Sequence, residues 1–221
     1  MASMKIDLVS DVVCPWCVVG LKSLDIALQR LGPSFEPVEL SFQPFELNPQ
    51  MPPEGEDITE HLARKYGLNA EQVKTNQLNI RERAAAVGFD FRMDKRSRTW
   101  NTFDTHRLLH WAHEVNPSKQ RALKEALFSA YFTEGLNPGS HEVLLRLCGE
   151  VGLDGGTAEA ILNSDRYATE VREAEAFWQQ AGIRSVPAFI INRKHLISGG
   201  QPPEVFEQAL RQIAAESSAK A

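Results

Sequence analysis

Residues 10–20 read SDVVCPWCVVG and contain two cysteines separated by a proline and a tryptophan. This stretch follows an apolar, β-prone segment at residues 5–10 and precedes leucines at helical spacing, a pattern that predicts a strand, a tight turn and a helix. Proline is favoured at the first position of a helix. Pro15 therefore places Cys14 at or next to the N-cap and Cys17 about one turn inside the helix.

The two cysteines of this stretch suit thiol–disulfide exchange. That reaction needs a thiolate that attacks a disulfide and a second thiol that resolves the mixed disulfide. At a helix N-cap, unpaired amides and the helix dipole lower the pKa of a cysteine from about 8.5 toward about 3.5–7.5. We therefore predict Cys14 as the exposed attacking nucleophile and Cys17 as the more buried resolving thiol. Pro15 stiffens the turn, and Trp16 is predicted to offer an exposed apolar flank to a substrate.

Two other interpretations of the cysteine pair stay open. A structural zinc site needs four ligands, and beyond the pair the chain offers Cys148 and the histidines His106, His110 and His113. Alternatively the pair is unreactive, because free cysteine often behaves as a small core hydrophobe. Cys148 is predicted to lie in the core for the same reason. Dithiol chemistry is preferred, and no metal site is predicted.

The composition excludes several classes of protein. A chain of 221 residues suits one large domain, or one domain with a large insertion. Hydrophobic residues make up 43% and charged residues 24%, and the net charge of −5 leaves no electrostatic footprint for nucleic acid. No run approaches the ~20 apolar residues of a membrane span, and the first residues lack the apolar core of a secretory signal. We predict a cytoplasmic protein without nucleic-acid or membrane partners.

The predicted strands lie near both ends of the chain, and their order predicts that they form one sheet. A second strand at residues 38–45 alternates in polarity, and residues 51–181 are helical in pattern. Apolar runs at residues 188–191 and 195–198 predict a hairpin, and Pro203 stands near the start of a final helix. This order, β-α-β then β-β-α, predicts an α/β fold with a large all-helical insertion between the second strand and the hairpin.

An ordered set of motifs resembles the DsbA-like thioredoxin-fold oxidoreductases, most closely their FrnE-like branch. The matching positions are Ser10-Asp11-x-x-Cys14-Pro15-Trp16-Cys17-x-x-Gly20, Phe45-x-Leu47-Asn48-Pro49, Asn101-x4-His106-Arg107, and Gly182-Ile183-x-x-Val186-Pro187-x-Phe189. The resemblance covers nearly the whole chain. It implies a thioredoxin-like domain formed by residues 1–50 and 182–221, with residues 51–181 as the helical insertion domain.

The resemblance also implies a cis peptide bond between Val186 and Pro187, packed against the two sulfurs. A cis proline exposes the N–H and C=O of the preceding residue, so a substrate peptide can pair there and bring its disulfide over Cys14. Pro187 is therefore assigned to the catalytic set and Val186 to substrate binding. His106, part of the shared signature, is a further candidate for substrate binding, with a satisfied structural histidine as the alternative.

A sister branch, the kappa-class glutathione transferases and 2-hydroxychromene-2-carboxylate isomerases, shares the fold and commonly has serine as the nucleophile. Cysteine at both positions of this chain favours dithiol chemistry. Ser198-Gly199-Gly200-Gln201 leads into a helix N-terminus, which is either a site for the γ-glutamyl carboxylate of glutathione or a plain capping loop. Glutathione is therefore retained as a co-substrate, and no tightly bound organic cofactor is predicted.

Three functions are considered, in order of preference. The first is a thiol–disulfide oxidoreductase acting on protein or small-molecule thiols and disulfides, with oxidant, reductant and isomerase left open because the reduction potential decides among them. The second is a glutathione-dependent transferase or isomerase that uses Cys14 only to position glutathione. The third is a non-catalytic thioredoxin-like binding module. A homodimer is retained as a possible assembly.

Overall fold

The structure of the protein is a computed structural model that describes residues 3–218. Its strands, in chain order, are β1 (Met4–Ser10), β2 (Val38–Pro44), β3 (Glu56–Asp57), β4 (Arg98–Thr99), β5 (Ala188–Ile191) and β6 (His195–Ser198). Four of them form one sheet in the order β2-β1-β5-β6. The two ends of the chain therefore meet in a single sheet, as predicted.

The pairing of the strands follows the predicted topology. Strands β1 and β2 run parallel, with Leu8 opposite Phe42, whereas β5 runs antiparallel to β1 and places Phe189 opposite Leu8. Strand β6 pairs antiparallel with β5 as the second arm of a hairpin. A parallel pair needs a long crossover, and here the crossover is the helix that follows the cysteine turn. The predicted α/β fold of thioredoxin type is confirmed.

Helices account for most of the remaining structure. Those of the described residues are α1 (Pro15–Leu31), α2 (Ile58–Tyr66), α3 (Ala70–Ala86), α4 (Phe103–Val115), α5 (Pro117–Ser129), α6 (His141–Glu150), α7 (Gly155–Leu162), α8 (Ala168–Gln180) and α9 (Pro203–Ser218). A π-helical turn at Ala130–Glu134 extends α5. None of the helices within residues 3–218 is long and apolar enough to cross a membrane.

The core that supports the cysteine turn lies between the sheet and helices α1 and α9. Leu8 of β1 and Leu24 of α1 are fully buried there, and the rings of Phe189 and Phe206 meet edge to face with centroids 4.7 Å apart. Burial of each such side chain contributes roughly 1.5–3 kcal/mol. A Cβ on Gly20 would lie 3.0 Å from the Phe189 ring, so glycine allows α1 to approach β5 closely.

The insertion between β2 and β5 is helical except for one short ladder. Strands β3 and β4 pair antiparallel over two residues each, which the sequence analysis did not predict because so short a strand shows no alternation of polarity. The division into domains at residues 50/51 and 181/182 stays a prediction.

The insertion also covers the outer edge of the sheet at β2. The side-chain amide of Gln120, on α5, donates to the Phe42 carbonyl at 2.9 Å and accepts from the Phe42 N–H at 3.0 Å. A neighbouring strand would make the same two hydrogen bonds. Covering an edge in this way protects it from pairing with other chains, and it brings α5 close to the end of the sheet that carries the cysteines.

Candidate active site

Cys14 is the N-cap residue of α1, with Pro15 at the first helical position. Its backbone is extended (φ −88°, ψ 112°), its N–H donates to the Asp11 carbonyl at 3.3 Å, and its carbonyl accepts from the Cys17 N–H at 3.1 Å. The predicted placement of Cys14 at the N-cap and of Cys17 in the first turn is confirmed. Both cysteines are free thiols in the structure.

The prediction that Cys14 is exposed is wrong, whereas its role as the nucleophile stays a prediction. Its side chain is only 3% exposed, and its Sγ donates to the Val186 carbonyl at 3.6 Å. Val186 precedes a cis peptide bond to Pro187, so the loop that leads into β5 lies directly over the sulfur. Cys17 is fully buried, and is thus the less accessible of the two thiols, as predicted.

Trp16 is half-buried rather than exposed, because the loop after β6 packs against it. A Cβ on Gly200 would lie 2.9 Å from the Trp16 carbonyl oxygen and 3.1 Å from its ring. The N–H of Gly199 donates to the Pro187 carbonyl at 2.8 Å. The structure thus brings the predicted glutathione loop, the proline loop and the cysteine turn together, although they lie far apart in the sequence.

The hydrogen bonds of that loop leave fewer free donors for a carboxylate than the sequence suggested. The N–H of Gly199 is already bonded, and the N–H of Gln201 donates to the Gly199 carbonyl at 2.9 Å. The Gln201 side chain donates to the Ser198 carbonyl at 2.8 Å. Helix α9 then begins at Pro203, and neither Pro202 nor Pro203 carries an N–H. The capping-loop interpretation therefore fits these residues better.

Two cations flank the cysteine turn, and the sequence analysis missed both because neither lies in a motif. Lys65, near the end of α2, donates to oxygens of residues 47–48 at 2.7–2.8 Å and interacts electrostatically with Cys14. Arg83, on α3, donates to the Gly200 carbonyl at 3.3 Å. Across the described part of the chain, neither cation has a carboxylate at ion-pair distance, so their charges are available to an anionic ligand.

On the inner side of the turn, Asp11 is a fully buried carboxylate. Its Oδ2 accepts from the Leu47 N–H at 2.8 Å, and its Oδ1 lies 3.4 Å from Nε2 of His106. Burial acts to raise the pKa of Asp11, but His106, the Leu47 amide and the charge of Lys124 outweigh it, so the net shift is downward. Asp11 is therefore ionised at neutral pH.

His106 does not occupy the position predicted for a substrate-binding residue. The residue is 3% exposed, and its Nε2 faces Asp11 in the interior. A substrate at Cys14 has no access to the ring. The alternative interpretation, a structural histidine, fits the geometry better, with its ring held beside a buried carboxylate.

Lys124, on α5, is a buried cation that the sequence analysis did not single out. It is 0% exposed, its Nζ has no hydrogen-bond partner among the described residues, and it lies 5.8 and 5.3 Å from the ring centroids of Phe42 and Phe128. Burial lowers the pKa of Lys124 from 10.5 to about 8, although the charges of Cys17, Asp11 and Cys14 act in the opposite direction. The amine therefore titrates close to physiological pH.

The thiols of Cys17 and Cys148 are held in their protonated form. Burial, followed by the hydrogen bond and charge of Cys14, raises the pKa of Cys17 well above its ordinary value of 9.0. Burial also raises the pKa of Cys148 to about 12, consistent with the predicted inert core position. Among the residues that the structure describes, no cluster of histidine, cysteine and carboxylate side chains is arranged to hold a metal ion.

Comparisons with known proteins find similar sequences and a similar fold. A family model described as DSBA-like thioredoxin domain matches residues 5–211. The crystal structure of a probable DsbA oxidoreductase, SCO1869 from Streptomyces coelicolor, is 35% identical, with a TM-score of 0.83 over 95% of this chain and 89% of that one. The Bacillus subtilis (strain 168) protein YwbO is 29% identical over 209 residues, which are 94% of this chain and 96% of YwbO.

A more distant structure shares the fold. The cytosolic disulfide reductase DsbM from Pseudomonas aeruginosa, solved with GSH, is 18% identical, with a TM-score of 0.64 over 94% of this chain and 98% of that one. Together with the family match, these similarities confirm the resemblance inferred from the sequence motifs.

Proposed function

The chain belongs to the DsbA-like thioredoxin domain family, and on that premise we propose that it is a thiol–disulfide oxidoreductase in which Cys14 attacks and Cys17 resolves. One observation carries this proposal. Cys14 caps the first turn of α1 beside the Val186 carbonyl, and Cys17 lies behind it within hydrogen-bonding reach. This is the arrangement that a nucleophilic thiol and its resolving partner need.

In the first step, the Cys14 thiolate attacks one sulfur of a substrate disulfide. The positive end of the α1 dipole and the cation of Lys65 stabilise the negative charge. A bond forms between Cys14 and that sulfur, and the other substrate sulfur leaves as a thiolate. Loss of the Cys14 proton also ends its hydrogen bond to Val186, which frees that carbonyl to accept from a substrate backbone N–H.

In the second step, Cys17 loses its proton and attacks the Cys14 sulfur of the mixed disulfide. The remaining substrate sulfur leaves as a thiolate, and a Cys14–Cys17 disulfide forms. The substrate has then gained two electrons and the protein has lost two. The reverse sequence oxidises a substrate dithiol, and the relative reduction potentials of the two couples set the direction.

Trapping of the mixed disulfide tests this mechanism. Cys17→Ala is expected to accumulate an adduct between Cys14 and a peptide disulfide, measured as a mass increase without reductant, whereas the wild type proceeds to a Cys14–Cys17 disulfide with two fewer alkylatable thiols. Cys14→Ala should form no adduct, and Cys148→Ala is the control that behaves as wild type. Full dithiol turnover by Cys17→Ala would contradict the mechanism. Glutathione-dependent isomerisation that survives in Cys17→Ala would support the alternative in which Cys14 only positions glutathione.

We further propose glutathione as a co-substrate, on the strength of the two cations that flank the cysteine turn. Lys65 interacts electrostatically with Cys14, and Arg83 donates to the Gly200 carbonyl, so both place positive charge near the cysteine turn, where a carboxylate of bound glutathione could pair with it. The distant relative DsbM was solved with GSH and is described as cytosolic, which also supports the cytoplasmic location proposed for this protein.

A charge substitution separates this role from general thiol reactivity. Arg83→Gln is expected to slow reduction of the Cys14–Cys17 disulfide by glutathione about threefold to tenfold, the effect of one exposed ion pair, and to leave reduction by the neutral thiol 2-mercaptoethanol unchanged. Arg81→Gln, an exposed arginine on the same helix, serves as the control. An equal loss with both thiols would contradict a role in carboxylate binding.

A further inference from the structure

The loop after β2 carries Asn48, a residue of the shared sequence motifs that has no role in the two exchange steps. Its side-chain Oδ1 accepts from Nζ of Lys65 at 2.7 Å and lies 3.1 Å from Nε2 of His61. A lysine ammonium carries donors and no acceptor. The atom of the Asn48 amide that faces Lys65 is therefore its oxygen, and the same oxygen faces the His61 ring.

Both nitrogens of the His61 ring face hydrogen-bond acceptors. Nε2 faces the Asn48 oxygen, and Nδ1 lies 2.7 Å from Oε2 of Glu56. Hydrogen bonds from His61 and Arg64 lower the pKa of Glu56, so its carboxylate is ionised and can only accept. Each ring nitrogen must then carry a hydrogen, which is the charged form of the ring. The residue is 7% exposed, so these two groups, rather than water, are its partners.

Lys65 depends on this arrangement for its position. A lysine side chain has about 2 kcal/mol of rotamer freedom, and Lys65 is an exposed residue in the last turn of α2. Its Nζ is held by the Asn48 oxygen and, at 2.8 Å, by the Leu47 carbonyl. The Leu47 N–H donates to the buried Asp11 carboxylate at 2.8 Å, and the Asp11 carbonyl accepts from the Cys14 N–H at 3.3 Å. Direct contacts therefore connect the lysine to the cysteine turn.

We propose that His61 in its charged form is a positioning residue for exchange at Cys14: through the Asn48 amide it holds the Lys65 cation at the cysteine turn. The inference rests on the proposed oxidoreductase function. A cation held in this place attracts anionic substrates and stabilises the thiolate of the attacking cysteine. The His61 ring touches neither the substrate nor the sulfurs and acts only through its two neighbours.

Loss of one proton from the ring reverses its hydrogen bond to Asn48. The neutral ring keeps its hydrogen on Nδ1, because a lone pair there would face the Glu56 carboxylate. The proton lost to water is that of Nε2, which becomes an acceptor. The Asn48 amide then turns over so that its NH2 group donates to Nε2. Its oxygen leaves Lys65, whose ammonium cannot bond to an NH2 group, and the lysine side chain regains its freedom.

Charged groups on the neighbouring elements act on the ring of His61. Strand β3 contributes the Glu56 carboxylate, and α2 itself contributes Arg64 and Lys65. On β4, the side chain of Arg98 donates to the backbone carbonyls of residues 54 and 55, next to Glu56. Within residues 3–218, no charged side chain of α3 lies at hydrogen-bond or ion-pair distance from the ring.

Two alkylating reagents of different charge test the position of Lys65. Mass spectrometry of the reduced protein gives the rates of Cys14 alkylation by anionic iodoacetate and by neutral iodoacetamide, and the ratio of the two rates is independent of the thiolate fraction. Lys65→Gln should lower this ratio about threefold, the effect of one exposed charge. His61→Phe should lower it equally, and the double variant should show no further loss. His141→Phe, at an exposed histidine of α6, should match the wild type.

The pH profile separates the orientation of the amide from a purely structural role of the ring. The wild-type ratio is expected to fall about threefold between about pH 5 and pH 8, the range in which histidine changes its charge. Asn48→Asp presents an oxygen in either orientation. Its ratio, although lowered by the added negative charge, should therefore not fall over that range. The buried Cys17 and Cys148 should stay unmodified in every variant, which reports an intact fold.

Each part of the proposal has an outcome that would overturn it. A wild-type ratio in His61→Phe, an additive loss in the double variant with Lys65→Gln, or a wild-type ratio that does not vary with pH would overturn the role of His61. A fall with pH in Asn48→Asp equal to that of the wild type would overturn the amide as the connecting group. Failure of the reduced wild type to form a Cys14–Cys17 disulfide from a peptide disulfide would instead overturn the oxidoreductase function, on which the alkylation ratios do not depend.

Discussion

Two buried cations on neighbouring helices of the insertion differ in their hydrogen bonds. Arg107, on α4, is 4% exposed and donates to the Asp104 carboxylate at 2.8 Å and to the backbone carbonyls of Ile161 and Ser164 at the end of α7. Lys124, on α5, is more deeply buried, and its Nζ has no hydrogen-bond partner in the described residues.

The difference shows what each charge does. The planar guanidinium of Arg107 donates to carbonyls at and just beyond the end of α7, so it joins α4 to that end of the helix. A buried ammonium without a partner costs stability, because desolvation of its charge is not offset by hydrogen bonds. We therefore assign Arg107 to the fold, whereas the Lys124 amine makes no comparable contact among the described residues.

The largest expected effect is that of Arg107→Met. It should lower the free energy of unfolding by about 3–5 kcal/mol, because the hydrogen bonds of a buried guanidinium to the Asp104 carboxylate and to the carbonyls of Ile161 and Ser164 are lost at once. Urea denaturation measures this loss. Arg107→Lys should recover only part of it, since a point charge cannot reproduce the fork of donors, and the exposed Arg81→Met should change stability by less than about 0.5 kcal/mol. A loss below about 1 kcal/mol in Arg107→Met would remove the contrast between the two cations.

Lys124→Met is expected to raise the free energy of unfolding, whereas Arg107→Met lowers it. The pKa of Lys124 is about 8 in the folded protein against 10.5 for the ordinary side chain. Between these values the unfolded chain binds more protons, so the stability of the wild type rises with pH. The variant should therefore gain up to about 3 kcal/mol at neutral pH, and that gain should shrink as pH rises above about 8. Urea denaturation across pH measures it, and a gain that does not vary with pH would contradict the burial of an ionisable amine.

The smallest expected effect is that of Asp104→Asn. The Asp104 side chain is 29% exposed, and solvent weakens its ion pair with Arg107. The loss should be about 0.5–1 kcal/mol and should shrink at high salt. The same denaturation assay in low and high salt measures it. A loss as large as that of Arg107→Met would show that the carboxylate, rather than the carbonyls of α7, holds Arg107 in place.

The two cations also differ in how far the sequence could reveal them. Arg107 belongs to a motif shared with the family, although its carbonyl partners come from residues more than fifty positions later. Lys124 lies on a face of α5 that also carries Leu123, Leu127 and Phe128, and this helical spacing was the available signal of burial. Spacing alone is ambiguous, because a lysine at such a position usually extends its amine to solvent.

Exposure was the property that sequence analysis assigned least well. The cysteine motif predicted that Cys14 and Trp16 lie at the start of a helix. It also suggested that both side chains were accessible to solvent. Val186, 172 positions from Cys14, covers the sulfur, and Gly200 packs against Trp16. The sequence motifs predicted that these segments belong to one site, yet they carried no information about how closely the segments pack.

Local backbone preferences were sufficient to locate the strands of the main sheet, the N-cap cysteine and the proline that opens α1, because each depends on residues within a few positions. The buried amine and the covered sulfur arise from segments that meet only after folding. Dielectric surroundings and solvent access depend on which distant surfaces are buried together, and it is those surroundings that shift the pKa values on which the chemistry of this site depends.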